Sequence, residues 1–334
     1  MRTASLRRLT VGAVAAGLAL TGCGTTAEGG SAAAGGADGP IEGLRMLVPN
    51  SAGSGYDTTA RTVAQVLEAN DLASSIEVFN LEGAGGTVGL QRLVNEEGNA
   101  DMLMQMGLGV VGAQYSNQSE ATLDQTTPVA RLIEEAEAIV VPADSPYETL
   151  DQLIEAWKAD PGNVPVGGAS NPGGPDHLTP MLLAEEAGID PTEVNYVSYD
   201  GGGELLAGIL GSQISFGATG ISEITESAAS GDVRVLAVTS EEPIEGLDAP
   251  TLTEEGVDLV FTNWRGLVAP PGITEEETQR LVDAVTEMQA SEEWQQELED
   301  NGWTDAFLAG DEFTEFLGEQ SERVETVLGR LGLA

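Results

Sequence analysis

Apolar runs of strand length alternate along this chain with amphipathic runs of helix length, and few folds accept that order. "LRMLVP" (44–49), "IEVFN" (76–80) and "DMLMQM" (101–106) are separated by helix-like stretches at 57–69 and 87–97. This is the βαβ rhythm of a parallel sheet covered by helices. The rhythm returns in "NVPVGG" (163–168), "VNYVSY" (194–199), "QISFGAT" (213–219) and "VRVLAVT" (233–239). "PVARLIEEAEAIVVP" (128–142) lies between the two sets and "FTNWRGLVAP" (261–270) follows them, each reading as a strand-like connection between lobes. The tail reads as helical, with Thr274 and Glu277 forming a capping box ahead of Leu281, Val285 and Met288. The expectation is an α/β protein of two lobes, each a sheet flanked by helices, joined twice across a cleft. Residues 41–142 and 264–334 form the first lobe and 143–263 the second.

Ahead of the lobes stands a leader. Arg2, Arg7 and Arg8 precede "LTVGAVAAGLALTG", an apolar stretch too short to span a bilayer comfortably, so residues 1–22 read as an export signal. Leu20-Thr21-Gly22-Cys23 resembles the lipobox of bacterial lipoproteins, in which the cysteine is diacylated and becomes the new N-terminus. Cys23 is the only cysteine, so no disulfide framework competes for it. Residues 23–40 contain no large apolar side chain and read as a flexible tether. The expected location is the extracytoplasmic face of the cell membrane, held there by a lipid on Cys23.

Charge then excludes whole classes of function. Without the leader the chain has 10 basic and 55 acidic residues, a formal charge of −45, and Lys158 is its only lysine. Nucleic acid binding needs clustered Lys and Arg on phosphates, which this chain lacks. Metal ligation is unsupported with one histidine and one cysteine committed to lipid, and no cofactor is expected. There is no Gly-x-Ser-x-Gly elbow, and Lys158 lacks the glycine loop of a Walker A motif. Gly107-x-Gly109-x-x-Gly112 matches a dinucleotide fingerprint, but a lone match is weak and an exported protein meets little NAD.

Four glycine-rich gaps sit after strands and before helices. In an open parallel sheet that is where ligands lie, against unpaired N–H groups and the positive end of the helix dipole. The candidate ligand-binding residues are Ser51, Gly53, Ser54, Gly55 and Tyr56 in the first gap and Gly83, Ala84, Gly85, Gly86 and Thr87 in the second. The second lobe offers Ser170, Gly173, Gly174 and His177, then Tyr199, Gly201 and Gly202, with Thr219 at a strand end. A single gap of this kind is equally a tight turn needing positive φ. Asp57 reads as the N-terminal acid of its helix rather than a ligand contact, and His177 as a residue that caps or packs a helix start. Tyr56 and Trp264 suit either the cleft wall or plain packing.

The order Pro49…Ala52-Gly53-Ser54-Gly55-Tyr56-Asp57…Ala60-Arg61, followed by Asn80…Gly83-Ala84-Gly85-Gly86-Thr87…Gly89, resembles the first-lobe signature of the Bug, or TctC-like, extracytoplasmic solute receptors. The similarity continues through Leu150-Asp151-Gln152-Leu153, Asp160-Pro161-Gly162-Asn163, His177-Leu178, Val197-Ser198-Tyr199-Asp200-Gly201 and Trp264-Arg265-Gly266-Leu267-Val268-Ala269-Pro270. It spans residues 44–305. Asp200 stands where such receptors commonly have lysine, and Asn99-Ala100-Asp101 replaces their Pro-Asp-Gly. The resemblance implies a type II periplasmic-binding-protein-like fold. It also implies a monomer whose two first-lobe loops hold a small carboxylate through main-chain N–H groups and water, for delivery to transporter membrane subunits. Two other functions fit the same residues: a lipoprotein presenting its ligand to a sensor, and a hydrolase using Ser170 or Ser54 with His177.

Overall fold

The structure is a computed structural model that describes residues 39–199, 201–244 and 246–334. The expected leader, Cys23, the tether up to residue 38 and Asp200 lie outside the described residues. Strand β1 (Ile41–Glu42) leads to β2 (Arg45–Val48), helix α1 (Gly55–Ala69), β3 (Ala73–Ser74) and β4 (Glu77–Asn80). Helix α2 (Thr87–Val94), β5 (Met102–Gly107) and α3 (Leu108–Ser116) follow. The long β6 (Thr127–Pro142) then carries the chain into α4 (Leu150–Ala159), β7 (Val166–Gly168), α5 (Pro175–Glu186), β8 (Tyr196–Ser198) and α6 (Gly202–Leu210). Strand β9 (Phe216–Gly220), α7 (Ile221–Ser230) and β10 (Val233–Val238) complete that half. The chain returns through β11 (Thr262–Ala269) to α8 (Glu275–Gln289), α9 (Glu292–Asn301), β12 (Thr304–Ala309) and α10 (Asp311–Arg330).

The strands of each expected run are present, and their order shows how the two halves are joined. The main sheet runs β4-β2-β5-β11-β6-β9-β7-β8, with β10 and β12 also pairing with β6. β2 lies parallel to β4 and β5, and β7 parallel to β8 and β9, as the βαβ rhythm requires. β6 belongs to both halves. Its first part pairs antiparallel with β11, from Thr127↔Ala269 to Ala136↔Thr262, while Glu137–Val140 pairs antiparallel with β9. The stretch read as a connection is therefore one continuous 16-residue strand shared by the two halves.

Helices cover both faces. β5, buried at all six positions as a central strand of a two-sided sheet should be, packs Leu103 toward α1, α8 and α9 and Met104 and Met106 toward α2, α3 and α10. In the other half Trp157 of α4 meets Phe216 of β9 edge to face at 5.0 Å, while Leu205 and Ile209 of α6 cover the opposite face with Val235 of β10. The start of α8 is the expected capping box, Thr274 Oγ1 accepting from Glu277 N and the Glu277 carboxylate accepting from Thr274 N. The tail departs from the helical expectation at β12, which pairs with β6 from Thr304↔Glu134 to Ala309↔Ala130. "TDAFLA" is six residues long and only partly buried, too short to carry a distinct period.

Candidate ligand-binding site

The N-terminal ends of helices from both halves meet at one place. The Gly83–Thr87 loop turns through a 3-10 segment at Ala84–Gly86, with Gly85 and Gly86 at φ values of 63° and 100° that favour glycine. A Cβ on Gly85 would stand 2.7 Å from Ala113 Cβ of α3 and 3.7 Å from Asn171 Nδ2 of the second half. At Gly112 of α3 a Cβ would come within 1.9 Å of the Gly173 carbonyl oxygen, so the two halves touch backbone to backbone. Tyr56, in the first turn of α1, accepts a hydrogen bond from Gly109 N at 3.1 Å, and burial pushes its hydroxyl pKa up to about 12. Gly107, Gly109 and Gly112 thus serve close approach to Trp264, Tyr56 and Gly173, not a dinucleotide turn.

Three main-chain donors in this region, among them the expected Gly53, already hold carboxylates of the chain itself. Gly53 N donates to Asp57 Oδ2 at 2.8 Å, and Ala169 N to Asp176 Oδ2 at 2.6 Å. Ser222 N, in the first turn of α7, donates to Glu135 Oε1 at 2.7 Å. Burial would raise Asp57, but hydrogen bonds from Arg61, Gly53 N and Asn80 prevail and hold it below the usual carboxylate range. Asp57 is thus the N-terminal acid of α1. In the second gap, the N–H groups of Ala84 and Gly85 have no hydrogen-bond partner among the described residues.

Between the halves lies a charged cluster that sequence reasoning missed. Glu135 and Glu137 point to one face of β6, two residues apart. Arg265 of β11 bonds Glu135 Oε2 at 2.7 Å and Thr59 Oγ1 at 3.3 Å, and both ions are buried. Asp176 faces them from α5 and Glu223 from α7, the latter accepting from Thr219 Oγ1. Burial, then the charge of Glu223, raises Asp176 to about 7. Glu137 is raised well above its usual range by burial and then by Asp176, Glu135 and Glu223, against the pull of Arg265. Glu223 is reached by solvent, yet crowding by protein and then Glu135 raise its carboxyl as well. The signal available in the sequence was three acids, Glu134, Glu135 and Glu137, inside a largely apolar run, together with Arg265 in "NWRGLV".

The expected site residues divide by where they fall. Gly55 lies against Arg265, its hypothetical Cβ 2.6 Å from Nη2, and Gly202 against Glu223 Oε2 at the same distance, so with Thr219 they border the cluster. Ser51 and Ser54 are occupied in the α1 turn, Ser54 Oγ accepting from Asp57 N at 3.3 Å and Ser51 O from Ser54 N at 3.2 Å. Ser170 Oγ accepts from Asp176 N at 3.0 Å and its carbonyl from Tyr196 Oη at 2.7 Å. His177 Nδ1 accepts from Gly173 N at 3.2 Å, its ring lies edge-on to Tyr196, and burial lowers its pKa to about 4. Neither Ser54 nor Ser170 hydrogen-bonds to His177, the partnership a hydrolase would need. Gly174 is the N-cap of α5 and Gly201 that of α6. Tyr199 packs instead into the second half, against Gly167 and Gly208.

Two α/β halves sharing a strand, with glycine-rich helix starts opposed across their contact, define a solute-binding receptor of the periplasmic-binding-protein type. The chain belongs to the TctC family, described as tripartite tricarboxylate transporter family receptors, whose model matches residues 59–333. Among its relatives, BugT of Bordetella pertussis is 26% identical over 239 residues, 70% of this chain and 72% of BugT. An R. palustris protein solved with adipate superimposes with a TM-score of 0.77 at 20% identity, over 88% of this chain and 99% of that one. MatC from Rhodopseudomonas palustris with bound malate gives 0.73 at 23%, over 86% and 99%. The family is one of receptors, and the chain is no enzyme.

Proposed function

We propose that this receptor captures a small carboxylate outside the cell membrane and hands it to the membrane subunits of a tripartite tricarboxylate transporter. The observation that carries the reading is the Gly83–Thr87 loop, where two adjacent N–H groups ahead of α2 lack partners among the described residues and a Cβ on Gly85 would stand 3.7 Å from Asn171 of the second half. Charge-assisted bonds from such donors contribute roughly 1.5 to 3 kcal/mol each, so a handful reaches micromolar affinity. Malate and adipate, the ligands of two structural neighbours, are both dicarboxylates. The proposed lobes are 41–142 with 264–334, and 143–263. The proposed anchor is a lipid on Cys23, checked by whether Cys23→Ser leaves the membrane fraction. The functional test is a thermal-shift screen of small organic acids. At ~100 times its dissociation constant a true ligand stabilises by about 2.7 kcal/mol, and a screen in which no carboxylate moves the melting temperature sinks the proposal.

A further inference from the structure

Glu137 has no exposed surface, and neither of its carboxylate oxygens has a hydrogen-bond partner among the described residues. Its backbone is held from both sides of the peptide: Glu137 N donates to Thr239 Oγ1 at 2.8 Å, and Thr239 N donates to the Glu137 carbonyl at 2.9 Å. The side chain is thereby fixed on the face of β6 that carries Glu135, toward Asp176 and Glu223. A buried carboxyl without donors is strongly unfavourable unless something supplies them. The surrounding protein does not. Four carboxyls here face one guanidinium, Arg265, and Arg265 is already bonded to Glu135.

A cation with N–H donors would supply both the charge and the hydrogen bonds. Among the described residues no three acids converge as ligands for a metal ion, so the spacing suits a larger group that spreads its donors over several carboxylates. A trimethylated nitrogen would bring charge without the hydrogen bonds that Glu137 lacks. Solvent reaches the cluster beside Glu223, next to Gly202, where a side chain would collide with the carboxylate. We propose that the cluster of Glu137, Asp176 and Glu223 receives a primary ammonium group. The ligand is then a zwitterion with its carboxylate on the main-chain donors of the first half and its ammonium on these acids. This rests on the carboxylate reading above and narrows it.

Matched acids test it on the full chain by calorimetry or thermal shift: glutarate against 4-aminobutyrate and glutamate, and adipate against 5-aminopentanoate. The expected result is that an amino member binds about tenfold or more tightly than its diacid. 4-(Trimethylammonio)butyrate should lose that advantage. Glu137→Gln should remove most of the preference, and Glu223→Gln, at an exposed position that folding tolerates, should cut it by about threefold or more. If the diacids bind and no amino member binds better, the proposal is overturned while carboxylate capture stands. A preference that persists undiminished in both variants also overturns it, because the ammonium then lies elsewhere. If neither series binds, both readings fall.

Discussion

Asp176 and His177 are neighbours at the start of α5 and respond to pH in opposite senses. Burial lowers His177 from 6.5 to about 4, so across that interval the unfolded chain binds a proton that the folded one refuses, and stability rises with pH. Burial and Glu223 raise Asp176 from 3.8 to about 7. Its stabilising effect is complete below the unfolded value and is lost as pH climbs through the folded one. Glu137 and Glu223 are raised too and share that sign, whereas Asp57 is lowered and acts with His177. Over the weakly acid range His177 only partly offsets Asp176, Glu137 and Glu223, so the native protein should lose stability as pH rises from ~4 to ~7. Asp176→Asn removes one of the groups whose stabilisation is lost with rising pH, and its side-chain oxygen can still accept from Ala169 N. Its stability relative to the native chain should grow by on the order of 3 kcal/mol between pH ~4 and ~8. Chemical denaturation at a series of pH values reads this directly, and parallel curves for the two proteins would refute it.

At the scale of elements, the contact between α3 and the loop before α5 limits how closely the two halves come together. Gly112 lies inside α3, where alanine is the better helix former by about 1 kcal/mol. A Cβ there nonetheless meets the Gly173 carbonyl at 1.9 Å, an overlap that only separation of the halves relieves. Gly112→Ala should therefore melt at or above the native temperature while binding ligand about tenfold more weakly. In solution scattering with ligand it should stay more extended than the native protein. Native affinity in this variant would mean that the backbone contact is no part of the bound form. The βαβ order and the gaps at 51–56, 83–87 and 170–177 were legible in the sequence because strand and helix periods differ and glycine marks close approach. The acids of β6 were not. Glu135 and Glu137 sit in an apolar run whose pattern reads as a buried connection, and only pairing in space reveals that their face meets Arg265, Asp176 and Glu223. The placement of Tyr199 was not legible either: a tyrosine beside a glycine gap can turn to either side, and here it packs against Gly208.

The whole molecule carries a formal charge of −42, so any dicarboxylate would approach it against a repulsive field. The cations near the contact do little to offset this, since Arg265 is buried and paired and Arg61 is committed to Asp57. On the proposed reading, capture rests on donors that act only at close range. Salt screens exposed charge beyond about 8 to 10 Å at physiological ionic strength, which removes the long-range repulsion and leaves the short bonds intact. Association of adipate should accordingly quicken as ionic strength rises from low values, with dissociation changing less. 5-Aminopentanoate has no net charge and should associate at a rate nearly independent of salt, so the pair separates repulsion of the ligand from any effect of salt on the protein. Stopped-flow measurement across a salt series decides the matter. If the adipate association rate instead falls steadily as salt is added, the approach is guided by an attractive cationic field, and the site lies at an arginine-lined surface rather than at main-chain donors inside this acidic shell.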